Sequence, residues 1–358
     1  MTALEAVAAH GLRSRLALPT GVLSVADARA LMLDAESHRV LGLLAHALRT
    51  GVVELADESL AAFELLERGW LAQDLRLERL LLRARARLRD EGIESRVLKG
   101  VALAHTVYRE PSMRVFGDVD LLVPGPQLSD AVRVLADELA LTRAQPELRA
   151  GFDERFGKEI LLRSGVLELD VHRVFVEGAL GLTIDAADLF APPYRFGLGG
   201  EDLEALPMPQ RLLHACYAAT LADWPPRLIS LRDVAQLVIS ERPNLTDVLL
   251  MARRWQCEAV VARAVSTAWR RLQLTDRAPI VEWAERYEPS RRDRLLLAAY
   301  EGPARAFTRH LAAFAVLPGV RDRAAYATAI ALPDAEYLRA RGMTVGSSVG
   351  RIWNRVRS

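Results

Sequence analysis

Two short runs in this chain alternate acidic and aliphatic residues: GDVDLLVP, from Gly117 to Pro124, and VLELDVH, from Val166 to His172. In a strand, residues two apart share one face. Asp118 and Asp120 then project together, while Val119, Leu121 and Val123 face an apolar layer. Glu168, Asp170 and His172 share one face of the second run, and Leu167, Leu169 and Val171 share the other. Each strand must therefore bury one side and carry carboxylates on the opposite side. Two carboxylates this close repel unless a cation sits between them. Magnesium suits the pair, because it takes oxygen ligands and is commonly held by one or two carboxylates plus substrate phosphates. If the strands are neighbours, Asp170 lines up beside Asp118 and Asp120, and three converging carboxylates hold two metal ions. Solvated strand faces are the competing reading.

The segment before the acidic pair adds a second feature. LKG, Leu98 to Gly100, lies between a short strand and a short helix. Backbone N–H groups at a helix start favour phosphate, and glycine lets the backbone approach closely. Of the 47 lysine and arginine residues, only Lys99 and Lys158 are lysine. An arginine-favouring genome explains the bias by itself; the competing reading is that a retained lysine marks a place where a compact ammonium is needed and a planar guanidinium does not fit.

Around these motifs the pattern sorts into regions. Residues 1–92 read as helical, with a long apolar stripe from Glu58 to Glu91 through Phe63, Leu66, Trp70, Leu77, Leu81, Ala84 and Leu88, stopped at Gly92. Residues 93–205 read as strand, helix, strand, helix and hairpin, the last joined at Ser164-Gly165. That order predicts a small α+β core on a mixed sheet. Residues 206–340 return to helical spacing, and 341–358 form a basic tail. The hairpin register is open: a two-residue turn sets Lys158 opposite Val171, and a three-residue loop sets it opposite His172.

The bulk numbers exclude some classes. The 358 residues suffice for two or three cores. A hydrophobic share of 51%, a charged share of 26% and a net charge of +1 suit a globular protein without a global field for nucleic acid. The arginine-rich helices interleave acids, which argues against a dedicated nucleic-acid stripe. Cys216 and Cys257 stand alone, with neither metal-site nor disulfide-scaffold spacing, and fit a reducing cytoplasm. No signal peptide and no membrane-spanning run is seen.

Taken together, LKGVALAHTVYREPSMRVFGDVDLLV and the later LELDVHRVF resemble the uncharacterised bacterial nucleotidyltransferase family of the polymerase-beta-like superfamily. Its pattern reads LKG, then Arg, then GD-[IV]-DLLV, then a DxH strand. The resemblance covers about residues 25 to 340, with specific motifs only at about 95–125 and 165–175. It implies that Asp118, Asp120 and Asp170 bind two Mg²⁺ ions and that Asp170 helps deprotonate the acceptor. It places Lys99 and Gly100 near the β- and γ-phosphates of an NTP and lets Arg114 neutralise phosphate charge. His172 is taken with this nucleotide-binding set, orienting Asp170 or touching the acceptor; a strand-end histidine bonded to backbone is the equal alternative. The wider superfamily usually carries Gly-Ser where this chain has Lys-Gly. Members often lie in gene clusters for lasso peptides or surface polysaccharides, so partners from such a cluster are expected.

The reading is a nucleotidyltransferase that moves a nucleoside monophosphate from an NTP to a hydroxyl or phosphate of a peptide, sugar or other small molecule. A toxin-like enzyme acting on tRNA or protein, and a non-catalytic nucleotide-binding scaffold, share parts of the pattern. Glu168 reads as solvated; His214 and Asp233 read as structural, with Asp233 also able to face a cleft.

Overall fold

A computed structural model describes residues 3–302 and 305–342. The basic tail lies outside the described residues from position 343 onward. A two-residue parallel pair, β1 (Val22–Leu23) and β2 (Glu54–Leu55), sits among the first helices. The main sheet comprises β3 (Arg96–Val97), β4 (Val119–Leu122), β5 (Thr142–Arg143), β6 (Glu159–Ser164), β7 (Leu167–His172), β8 (Tyr194–Leu198) and β9 (Glu201–Ala205). Its order is β5-β6-β7-β4-β3-β9-β8. β4 runs parallel to β7 and β3 to β9, and the remaining neighbours are antiparallel. The fold is thus α+β on a mixed sheet with helices before and after it, as the pattern predicts.

Alternation sorts the sheet's faces. Val97, Val119, Leu121, Val123, Leu169, Val171, Leu203 and Ala205 enter one apolar cluster. It is completed by Leu77, Leu81, Ala84 and Leu88 of helix α4 (Asp57–Asp90) and by Leu128, Ala131, Leu135 and Leu139 of helix α6 (Leu128–Leu139). The stripe on α4 changes partner midway. Phe63 belongs to the core shared by the helices, and the residues from Leu77 onward belong to the core under the sheet. Leu66 departs from the expected stripe and is exposed, because the helix's early turns contact other helices only along the Phe63–Trp70 line. Gly92 ends α4 at φ +68° with Ile93 N–H donating to Leu88 O, the left-handed stop that glycine supplies without a steric penalty.

Two hairpins refine the sequence reading. The β6–β7 turn is Gly165-Val166, with Ser164 paired to Leu167, one residue beyond the three-residue-loop register and two beyond the other. Glu159, not Lys158, therefore lies opposite His172, and Lys158 sits beyond the ladder, where its carbonyl accepts the Arg173 N–H. Gly165 at φ +59° accepts the turn conformation that Ser164 would resist. The β8–β9 hairpin was absent from the sequence reading. Its turn is Gly199-Gly200, both at positive φ, between alternating Phe196, Leu198 and Leu203, Ala205.

Helices α1 (Ala3–Ala9), α2 (Val25–Ser37) and α3 (Leu41–Arg49) share one core with the later helices Gln210–Tyr217, Leu228–Glu241 and Glu258–Arg271. Arg232 stitches them by donating to Ala8 O at 2.9 Å and His10 O at 2.7 Å. Cys216 and Cys257 are free thiols buried in that core. Among the described residues, no helix is long and apolar enough to cross a membrane.

Gly42 in α3 sets how closely this helical body approaches the segment leading to Asp118. A Cβ there would lie 2.2 Å from Ser112 O and 2.8 Å from Met113 O, both backbone atoms. Gly42→Ala is expected to lower unfolding stability by about 2 kcal/mol or more, read from urea melts; an unchanged midpoint would show that the contact yields.

Candidate active site

The parallel register of β4 and β7 pairs Asp120 directly with Asp170 and Leu122 with His172. The sheet face opposite the α4 layer thus carries Asp120, Asp170 and His172 together. One ligand atom from each lies within 4.8 Å of the others. Asp118, one residue before β4, stands at the rim with its side chain 18% exposed and outside that triad.

Asp120 is the electrostatic centre. It is 2% exposed, and its Oδ1 receives Lys99 Nζ at 2.9 Å and His172 Nε2 at 2.7 Å. Burial opposes its ionisation, but Lys99 and the His172 hydrogen bond outweigh burial and hold the carboxyl well below the usual range. Its Oδ2 is buried and has no hydrogen-bond partner among the described residues. Lys99 is the first residue of helix α5 (Lys99–Thr106), so Leu98 pairing with Asp120 along the strand edge delivers the ammonium across the sheet. Burial works against that ammonium, yet the charges of Asp120 and Asp118 hold its pKa above the ordinary lysine value.

A line of charge extends from there. His172 Nδ1 lies 3.2 Å from Glu159 Oε2, which in turn lies 2.6 Å from Lys158 Nζ. Both lysines of the chain therefore end on carboxylates of this face. The Asp170 carboxyl is pushed up to about 7 by burial, then by Glu159 beside it. The Asp118 carboxyl is raised by burial and by Asp120, against the pull of Lys99, Arg39 and Arg114.

Other expected residues sit differently. Gly100 is buried, and a Cβ on it would meet Phe116 Cβ at 3.0 Å. Its lack of a side chain allows close packing of the helix start against Phe116. Arg114 is 5% exposed and bound to Asp233: Nε donates to Oδ1 and Nη2 to Oδ2, both at 2.9 Å, while Nη1 donates to Val115 O at 2.7 Å. Tyr108 OH donates to the same Asp233 at 2.7 Å. With three guanidinium nitrogens engaged, Arg114 ties the loop before Asp118 to helix Leu228–Glu241, whereas the sequence pattern expects it beside phosphate. Asp233 faces that strut and no cleft. His214 stacks on Phe175 at 4.3 Å; burial, then Lys99 and His172, keep its pKa well below the ordinary value. Glu168 pairs with Arg163 at 2.8 Å on the solvent side.

Two residues of the site were missed. Glu159 depended on a hairpin register that sequence alone leaves open. Arg39 comes from the helical region far upstream; its Nη1 is 3.8 Å from Asp118 Oδ2. No local motif marks it.

The profile of a protein family described as "Uncharacterised nucleotidyltransferase" matches residues 24–273. No curated protein matches the chain. Among solved structures, that of the antibiotic-resistance factor ANT(2'')-Ia is similar over 53% of this chain and 96% of its own, at 14% identity and a TM-score of 0.36.

Two outcomes follow from the charges around the loop. Asp233→Ala leaves the Arg114 guanidinium buried and unpaired, and is expected to cost about 3–5 kcal/mol in urea unfolding. The double change Arg114→Met with Asp233→Leu should cost far less than Asp233→Ala alone; equal losses would mean the pair contributes packing and not charge. Asp74 on α4 accepts the Phe116 N–H at 3.5 Å, and burial, aided by Glu78, pushes its carboxyl up to about 7. A raised folded-state pKa means the folded form binds more protons, so stability falls as pH rises from about 4 to 7. Asp74→Asn should therefore gain on the wild type by about 1–3 kcal/mol between pH 5 and pH 8. A pH-independent difference would refute the assignment.

Proposed function

Because the chain belongs to the uncharacterised nucleotidyltransferase family, we propose that it transfers a nucleoside monophosphate from a magnesium-bound NTP to a hydroxyl or phosphate of an acceptor. Asp118, Asp120 and Asp170 would hold the metal, with Lys99 beside the phosphates and His172 fixing Asp120. The acceptor oxygen attacks the α-phosphorus, the bond to the β-phosphate oxygen breaks, and pyrophosphate leaves. Bound Mg²⁺ supplies charge neutralisation of the triphosphate and activation of the acceptor oxygen.

The observation that carries this reading is Asp120 opposite Asp170 on parallel neighbours, with Asp120 Oδ2 buried and unpartnered. An anionic oxygen left without a donor in a buried site is costly unless a cation completes it. Lys99 and His172 both bind the other oxygen, so they orient Asp120 and leave Oδ2 for the cation. On its other side His172 Nδ1 lies 3.4 Å from Val174 O and 3.2 Å from Glu159 Oε2. Asp170 would take the acceptor's proton.

The net charge of +1 and the ion-paired surface arginines favour a small or peptide acceptor over a polyanion. A ribosomal peptide, a sugar or another small metabolite made by neighbouring biosynthetic enzymes fits that chemistry, and the whole would work in the cytoplasm.

Calorimetric titration with each of the four NTPs, with and without Mg²⁺, tests the site. One NTP should bind in a magnesium-dependent way, and Asp120→Asn or Asp170→Asn should weaken that binding by about 100-fold or more with the fold intact. A folded wild type that binds none of the four in magnesium sinks the reading.

A further inference from the structure

Three cations face Asp118: Lys99, Arg39 and Arg114. Lys99 is committed to Asp120, and Arg114 to Asp233. Arg39 alone of the three has a loose attachment, 3.8 Å from Asp118 Oδ2, with its side chain 40% exposed. A contact of that length at that exposure is inexpensive to break.

The backbone aims Arg39 at the site. Helix α2 ends in a left-handed turn in which Arg39 N–H donates to Glu36 O at 3.0 Å and Val40 N–H to Ala35 O at 2.8 Å. Arg39 occupies the positive-φ position of that turn, at +55°, where glycine is the usual residue. His38 anchors the corner to the far helical region. Its carbonyl accepts Ile229 N–H at 3.3 Å and its Nδ1 accepts Leu228 N–H at 3.2 Å. Across the gap lies Gly117, where even an added Cβ would stand 3.8 Å from Arg39 Nη2. The guanidinium thus projects from a fixed corner, part-exposed, between Gly117 and Asp118.

We propose that Arg39 is a nucleotide-binding residue supplied from outside the sheet domain, a guanidinium that grips the phosphates beyond the α-phosphate. This rests on the nucleotidyltransferase reading of the same site. In the protein without metal, Arg39 neutralises Asp118. When a magnesium-bound triphosphate takes over the Asp118 charge, the guanidinium turns to the phosphate oxygens, whose geometry its planar fork matches in a bidentate way. The N-terminal helices then belong to the substrate site, and nucleotide arrival is sensed at the corner where three parts of the chain meet.

The test uses the full chain, magnesium pyrophosphate and the four nucleoside monophosphates as probes, with Arg39→Gly and Arg39→Lys. Arg39→Gly keeps the left-handed turn, so its melting temperature should equal or exceed that of the wild type. Its affinity for magnesium pyrophosphate should drop about tenfold or more, with Arg39→Lys in between. Monophosphate affinity should stay within about twofold of wild type, because one charge-assisted contact to the outer phosphates is all that is lost. Unchanged pyrophosphate affinity in Arg39→Gly overturns the inference, as does an equal loss for monophosphate. A wild type that binds neither pyrophosphate nor any NTP fails the underlying reading and takes this inference with it.

Discussion

The candidate site rests on the parallel ladder between β4 and β7. It sets Asp120 beside Asp170 and places His172 one step along the same face. Side chains in a strand alternate, so a slip of β7 by one residue would turn Asp170 and His172 into the α4 layer and leave Asp120 alone on the opposite face. The ladder is held by the apolar half of the same alternation: Val119, Leu121, Leu169 and Val171 are fully buried under α4 and α6. The hydrophobic residues that stabilise the sheet and the carboxylates that would do chemistry are interleaved, and neither set can be shifted without the other.

A buried group of carboxylates has to be compensated, and the compensation reaches across the molecule. Lys99 comes from the helix after β3, His172 and Glu159 from the hairpin, and Arg39 from the α2–α3 corner. The loop carrying Asp118 is fixed from the opposite side by Arg114 on Asp233. The N-terminal helices and the helices between Gln210 and Arg271 share one core; Arg39 from the first set and Asp233 from the second reach this loop. The sheet supplies the acids, and the helical body supplies the position of the loop and the loosely paired Arg39.

Much of this was legible in the sequence because it follows from strand period and spacing. The alternation in GDVDLLVP and LELDVH gave the shared face, and the order of strands and helices gave the class of fold. What escaped depends on information that a single segment does not hold. Glu159 enters the site only through a turn at Gly165-Val166, and either neighbouring register would have exchanged it for another residue. Arg39 enters through tertiary packing between distant helices. Arg114 looked like a phosphate ligand because its charge and place in the motif fit one; the partner that claims it, Asp233, lies far downstream. The β8–β9 hairpin carried a readable signal in its Gly-Gly turn.

The two lysines show why residue type matters at this face. Arg114 engages both oxygens of Asp233, as a planar fork does, and leaves that carboxylate with no free acceptor toward a metal. Lys99 is a point donor. It meets one oxygen of Asp120, His172 meets the same oxygen, and Oδ2 stays open. An arginine at position 99 would offer a second parallel donor to Oδ2 and would fill the place proposed for a divalent cation. In a chain that otherwise places arginine at every basic position but one, Lys99 is the residue that lets Asp120 be both neutralised and available. Lys158 plays the corresponding part on Glu159, so the polar line from Glu159 through His172 to Asp120 begins and ends on an ammonium.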